Sequence, residues 1–164
     1  MKHLLKLMHL ASMAAFSGSL MVSLVLADSA EGVTAAGLAS VRRSIAVVGD
    51  AVVVPSLIVL LVTGMLLVVA RPNLIHARWV WAKAVLGTTA AAIALFVVLP
   101  AERHAAIAAN EGSLGAPSLE LMQRALQSEL LGTIVTLALV LLAVLVAVWR
   151  PRLGATMRQP RDVT

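Results

Sequence analysis

The sequence predicts an all-α fold: an integral membrane four-helix bundle with both termini in the cytoplasm. Three observations carry this reading. Of 164 residues, 60% are hydrophobic, and the mean hydropathy is +0.97. A water-soluble core of this size cannot hide that much apolar surface. Only 13% of residues are charged, and they fall mainly between long apolar runs. Four of those runs reach the roughly 20 residues that a helix needs to cross a hydrocarbon layer about 30 Å thick. Helix is the open-ended form that can do so, because lipid offers backbone donors and acceptors no partner.

Span one covers about residues 4–27. Its opening, MKHLLKLMHLASMAAFSGSL, also has features of an export signal: Lys2 and Lys6 at the start, and Val25-Leu26-Ala27 as a passable cleavage site. Ser17, Gly18, Ser19 and Ser23 interrupt the apolar stretch, so retention as a span is the expectation. His9, Ser12, Phe16, Ser19 and Ser23 recur at steps of three and four and share one face. Lipid disfavours such a stripe, which should face the bundle interior. Ala11 with Ala15, and Ala14 with Gly18, allow close helix approach. Bonds to their own helix backbone account for the serines; they account less well for His9.

Span two covers about 47–70 and span three about 79–100. Arg71-Pro72-Asn73 between them reads as a tight turn that makes an antiparallel hairpin. Span four covers about 130–149. The connections 28–46 and 101–129 read as longer and polar. Within them, AAGLASVRRSIAVVGD extends span two into solvent. PSLELMQRALQSE, opening at Pro117-Ser118 with Leu119, Met122 and Leu126 at helical spacing, forms an amphipathic helix leading into span four. Residues 1–150 make one membrane domain, and 151–164 a disordered basic tail.

The formal charge is +5 and the pI about 11.1, but the basic residues gather at span edges. Lys2, Lys6, Arg71, Arg78, Arg150, Arg152, Arg158 and Arg161 share one side; Arg42, Arg43, Arg103 and Arg124 share the other with most of the acids. The positive-inside rule then places both termini in the cytoplasm, with Trp79, Trp81 and Trp149 at the interface. Aromatic residues are too sparse for a base-stacking platform, which argues against nucleic acid. The absence of cysteine excludes disulfides and thiolate metal sites.

Lys83, in RWVWAKAVLG, is an ionisable group a few residues inside span three, a functional candidate by default. Snorkelling of its ammonium to the interface is the plainer account. It shares a face with Gly87, Ala90 and Ala94, which suits helix packing and turns it inward. His9 lies roughly 8 Å inside span one and Lys83 roughly 6 Å inside span three, at 1.5 Å per residue. Thr63 and Gly64, in LLVTGMLL, reach the same depth from span two, where a hydroxyl and a glycine gap suit a planar ligand. Neutral imidazole is a good axial ligand for haem iron, and a lysine can pair with a propionate, ligate, or handle protons. Copper is a weaker fit: Met8 and Met13 flank His9, but no His/Met cluster has ligand spacing. His76 is the best-placed second imidazole. Asp50, opening span two, can pair with Arg42, Arg43 or Arg103, and Glu129 opens span four.

KLMHLASMAAFSG, VVVPSLIVLLVTGMLL and RWVWAKAVLG together resemble the small four-helix membrane proteins of the HemJ/CopD-like group, over roughly residues 3–100. The resemblance is closest to a branch labelled only as predicted integral membrane proteins, in which an acidic residue opens span two, as Asp50 does. HemJ-type members are protoporphyrinogen oxidases that bind haem b, and their first-helix histidine and third-helix lysine match His9 and Lys83. The resemblance therefore implies haem b as cofactor, His9 as the metal ligand and Lys83 as the candidate catalytic residue. Ser12, Thr63 and Gly64 complete the cofactor-binding set with His9 and Lys83. CopD-like members are linked to copper handling. One departure stands out: the later part of span one, SLMVSLVLADSAEG, lacks the aromatic residues of HemJ proteins.

The resulting expectation is a haem-b protein of membrane redox chemistry or haem metabolism and, if an enzyme, an oxidoreductase of the protoporphyrinogen oxidase type. The alternative is a cofactor-free accessory or assembly subunit, its aliphatic fourth span TIVTLALVLLAVLVAVW packed on lipid or a partner; copper handling ranks below both. Partners consistent with this reading are the bilayer, a quinone or membrane redox protein, and further copies of the chain.

Overall fold

The computed structural model describes residues 2–30, 34–70, 78–113 and 119–149. Every regular element among them is helical. Helix α1 (Lys2–Ser29) is the first rod. The second is α2 (Ala35–Val48), a π-helical turn (Gly49–Val53) and α3 (Val54–Val69) in unbroken succession. The third repeats that plan with α4 (Arg78–Ile93), a π turn (Ala94–Val98) and α5 (Leu99–Ser113), and the fourth is α6 (Leu119–Trp149). All four rods are long and apolar enough to cross a membrane. Leu4, Leu7, Leu10, Val25, Ile58, Met65, Val85, Leu141 and Leu145 point outward, an apolar belt that water would not tolerate and that lipid solvates. The Arg71-Pro72-Asn73 turn, His76, Pro117-Ser118 and the 151–164 tail lie outside the described residues.

Rods two and three exceed the expected spans. Ala35–Val69 and Arg78–Gly112 each run 35 residues, about 52 Å at 1.5 Å per residue. The expected extension of span two is present from Ala35 and the expected helix leading into span four from Leu119, while 101–113, which reads as polar connection, is helix as well. Thr34 caps α2, its hydroxyl accepting a bond from the Gly37 N–H at 3.3 Å. The α5 stretch AERHAAIAANEGS is rich in alanine, the strongest helix former. Its Ala101, Ala105, Ala108 and Ala109 are all buried, a smooth face against which α2 packs closely.

Both π turns precede a proline. Val54 N–H donates five residues back to Gly49 O, and Leu99 N–H donates five residues back to Ala94 O. Pro55 and Pro100 follow directly. A proline inside a helix removes a donor and crowds the carbonyl four residues earlier. A locally widened turn relieves that crowding while keeping the chain helical. The widened turns also bring rods two and three together, with Gly49 against the side chains of Leu99 and Glu102.

At this far end, remote from the start of α1, Arg42 on α2 meets Glu129 on α6 in a buried ion pair at 2.8 Å. Asp50 pairs with Arg103, one of the three partners considered for it, and both are exposed. In mid-bundle, Phe16 and Leu20 of α1 pack with Val53, Leu57, Ala91, Ala94, Val98 and Leu99, with Leu137 and Val140 of α6 alongside. Beyond that cluster, toward the start of α1, the rods separate into two pairs. α1 lies against α3 and α4 against α6, with only light contact between the pairs.

A methyl group at Gly49 would collide with Glu102 and Leu99, whereas one at Gly18 would meet nothing within 4 Å. Gly49→Ala is expected to lower stability by about 1–3 kcal/mol through overpacking. Gly18→Ala should leave it unchanged or raise it by about 0.5–1 kcal/mol, the helix-propensity gain. Thermal unfolding of both variants in one detergent checks the contrast.

Candidate functional site

The cleft between the two helix pairs contains the sequence-derived candidates. His9 projects from α1 toward rod two, where its Nδ1 lies 3.1 Å from Leu60 O and 3.1 Å from Thr63 Oγ1. A carbonyl can only accept, so Nδ1 carries the proton. Thr63 donates its own hydroxyl proton to Val59 O at 2.6 Å, which leaves its lone pairs facing the ring. In the neutral imidazole this fixes the tautomer: Nδ1 is the shared donor, and Nε2 keeps its lone pair. Nε2 takes no hydrogen bond among the described residues. Histidine ligands are oriented in this way, one nitrogen tied to the protein and the other left for a metal.

Gly64 lies under the same ring. A Cβ there would be 3.2 Å from His9 Cε1 and 3.7 Å from Nδ1. The gap that the sequence suggests for a planar ligand is thus filled by the imidazole itself, and Gly64 seats the ring. Ser12 is buried one turn along α1, but its hydroxyl donates to Met8 O at 2.7 Å and is not brought to the imidazole. Ser17 and Ser19 likewise bond within α1. Met8 is exposed on the outer surface.

Lys83 projects from α4, half-buried, with its ammonium in electrostatic range of the imidazole. It makes no ion pair among the described residues. One turn deeper, Gly87 borders open space, for a Cβ there would meet nothing within 4 Å. Ala90 and Ala94 continue that face into the buried core. Phe16 lies seven residues beyond His9 and Ala90 seven beyond Lys83, so both polar groups stand about 10 Å outside the apolar floor. Two basic groups thus face one cleft from different rods, one with a free nitrogen lone pair.

Among the described residues no group of three or more His, Asp or Glu is placed to hold a metal ion. A porphyrin brings four nitrogens of its own and asks the protein for one or two axial ligands. His9 Nε2 could offer one nitrogen to such a group, and the Lys83 ammonium could pair with a carboxylate.

Residues 3–151 match the family model described as "Predicted integral membrane protein (DUF2269)". The chain belongs to that family. The DUF2269 description agrees with the four apolar rods. No curated protein and no solved structure matches the chain.

Sequence reasoning missed a second polar group, at the far end: Arg42, Glu102, Glu129 and Thr133, all buried. Helical spacing carried the signal. Arg42, Ile45, Gly49 and Val53 share an inward face, as do Val98, Glu102, Ala105 and Ala109.

The cross-helix bonds predict the tautomer. In nitrogen-15 spectra of histidine-labelled protein near neutral pH, His9 is expected in the Nδ1–H form. Thr63→Val should keep that form, because the Leu60 carbonyl still accepts. Gly64→Val should displace the ring and lose it.

Proposed function

We propose that this membrane protein binds haem b in the cleft between its helix pairs and serves membrane redox chemistry or haem metabolism. The observation that carries the reading is the His9 ring, fixed through Nδ1 by Leu60 and Thr63 with Nε2 left open. His9 would provide the axial nitrogen, and Leu60, Thr63 and Gly64 hold its plane. Lys83 would pair with a propionate or carry a proton at the cleft edge. Bound haem would supply one-electron chemistry that no side chain here can. The apolar floor of Phe16, Leu57 and Ala91 keeps water from below. The resemblance to HemJ proteins supports the same reading, with porphyrinogen oxidation as the first reaction to assay. The excess of Lys and Arg at the His9 end supports a cytoplasmic cleft in a bacterial inner membrane.

Visible spectra of the detergent-purified protein, oxidised and reduced, test this directly. Wild type should show a haem band, His9→Ala should abolish it, and Lys83→Ala should weaken retention of the cofactor. Thr63→Val should cost roughly 10–100-fold in affinity, the usual scale for a group that orients a metal-binding histidine. A wild type that stays colourless after haem is supplied would leave the accessory-subunit reading in its place.

A further inference from the structure

Glu102 has no role in the cleft, which lies 19 residues away along rod three, about 28 Å. The residue is 1% exposed, and neither of its carboxyl oxygens takes a hydrogen bond among the described residues. Two other buried oxygens share that condition, as does the Nε of Arg42, whose bond to Glu129 is made through Nη1. Ser23 on α1 is 2% exposed and Thr133 on α6 is 1% exposed, and both hydroxyl oxygens have no partner among the described residues. The Ser23 hydroxyl lies alongside the Glu102 carboxyl without reaching hydrogen-bonding geometry. Gly49 presses against the carboxyl from rod two. Thr133 lies one turn beyond Glu129 on the buried face of α6.

Charge balance says what is missing. Arg42 and Glu129 neutralise each other at 2.8 Å, and Asp50 is matched by Arg103. The other charged or titratable groups on the neighbouring parts of the surrounding elements, Asp28, Arg43, His104, Glu111, Glu120 and Arg124, are exposed. Glu102 therefore remains as one carboxyl without a counter-charge of its own. An isolated carboxylate is not sustained in an apolar interior; it takes up a cation or a proton. The oxygens at hand are the Glu102 carboxylate, the Ser23 hydroxyl and that of Thr133, whose neighbour Gly132 packs on Val97 and Val98 one turn before Glu102; such hard donors suit an alkali cation or a proton and not a soft metal. One uncompensated negative charge calls for one positive charge. π turns often mark functional sites, and this group lies where one of them meets the turn after the other.

We propose that Glu102, with Ser23 and Thr133, forms a buried site for one exchangeable monovalent cation, for which the proton and sodium compete. The site is independent of the haem reading, since it uses neither His9 nor Lys83.

Infrared difference spectra of the full chain in lipid vesicles test it. They would be recorded across pH with sodium or with bulky N-methylglucamine as the only added cation. Wild type should show a carboxylic-acid carbonyl band that Glu102→Gln removes and Glu102→Asp displaces. Sodium at constant pH should remove the same band, and Ser23→Ala and Thr133→Val should raise several-fold the sodium needed. A band that follows pH but ignores sodium overturns the cation site and leaves Glu102 as an ordinary buried carboxylic acid. A band unchanged in both Glu102 variants overturns it. So does a wild type that shows no such band and no response to sodium at any pH. If Glu102→Gln does not fold, the aspartate variant and the wild-type sodium response decide the matter.

Discussion

Two prolines within helical rods set the architecture. Lipid offers no substitute for a lost backbone bond, so each deletion has to be absorbed inside the protein. Pro55 and Pro100 are absorbed in the same way, by a π turn ending two residues earlier. The first widened turn meets the start of α5, just beyond the second, at Gly49, Leu99 and Glu102. From that junction the rods run on as the paired helices α2 and α5, with the alanine face of α5 letting them close. Toward the opposite end, the same rods splay into separate pairs and leave the cleft of His9 and Lys83. A junction where rods close and an end where they part are two consequences of one backbone constraint.

Polar groups are distributed to match. Most serines and threonines on the rods bond to carbonyls of their own helix, including Ser12, Ser17, Ser56 and Thr136. This lets them lie in an apolar setting at little cost. Groups that reach between rods are fewer and fall at the two ends. His9 ties α1 to α3, and Arg42 ties α2 to α6. A buried ion pair adds little net stability over an apolar pair, but it is costly to break and so discriminates against wrong pairings. Arg42 and Glu129 thus act more on the register of rods two and four than on the depth of the folded state.

The four spans were legible because length and hydropathy decide whether a helix can cross a bilayer. The inward faces of α1 and α4 were legible from helical spacing, which brought His9, Thr63 and Lys83 to one depth. The reach of α2 was legible in AAGLASVRRSIAVVGD, which read as an extension of span two, and that of α5 was not. Charged and polar residues in 101–113 read as loop by hydropathy, while the alanine spacing that makes α5 a packed helix lies beneath the charges. The three partners open to Asp50 included Arg103, which the structure selects, but Arg42 to Glu129 was not foreseen, because 87 residues separate them. The role of Gly64 changed for a simpler reason. A gap in a sequence does not reveal which neighbour fills it, and here the neighbour is the histidine's own ring.

That ring also bears on how the protein is made. His9 is satisfied by Leu60 and Thr63, 51 and 54 positions later in the chain. When α1 first emerges from the ribosome, its partner helix has not yet been synthesised. The bond that seats His9 therefore becomes available only once rod two has been made, and the ring's final orientation is among the later features of the bundle to be set.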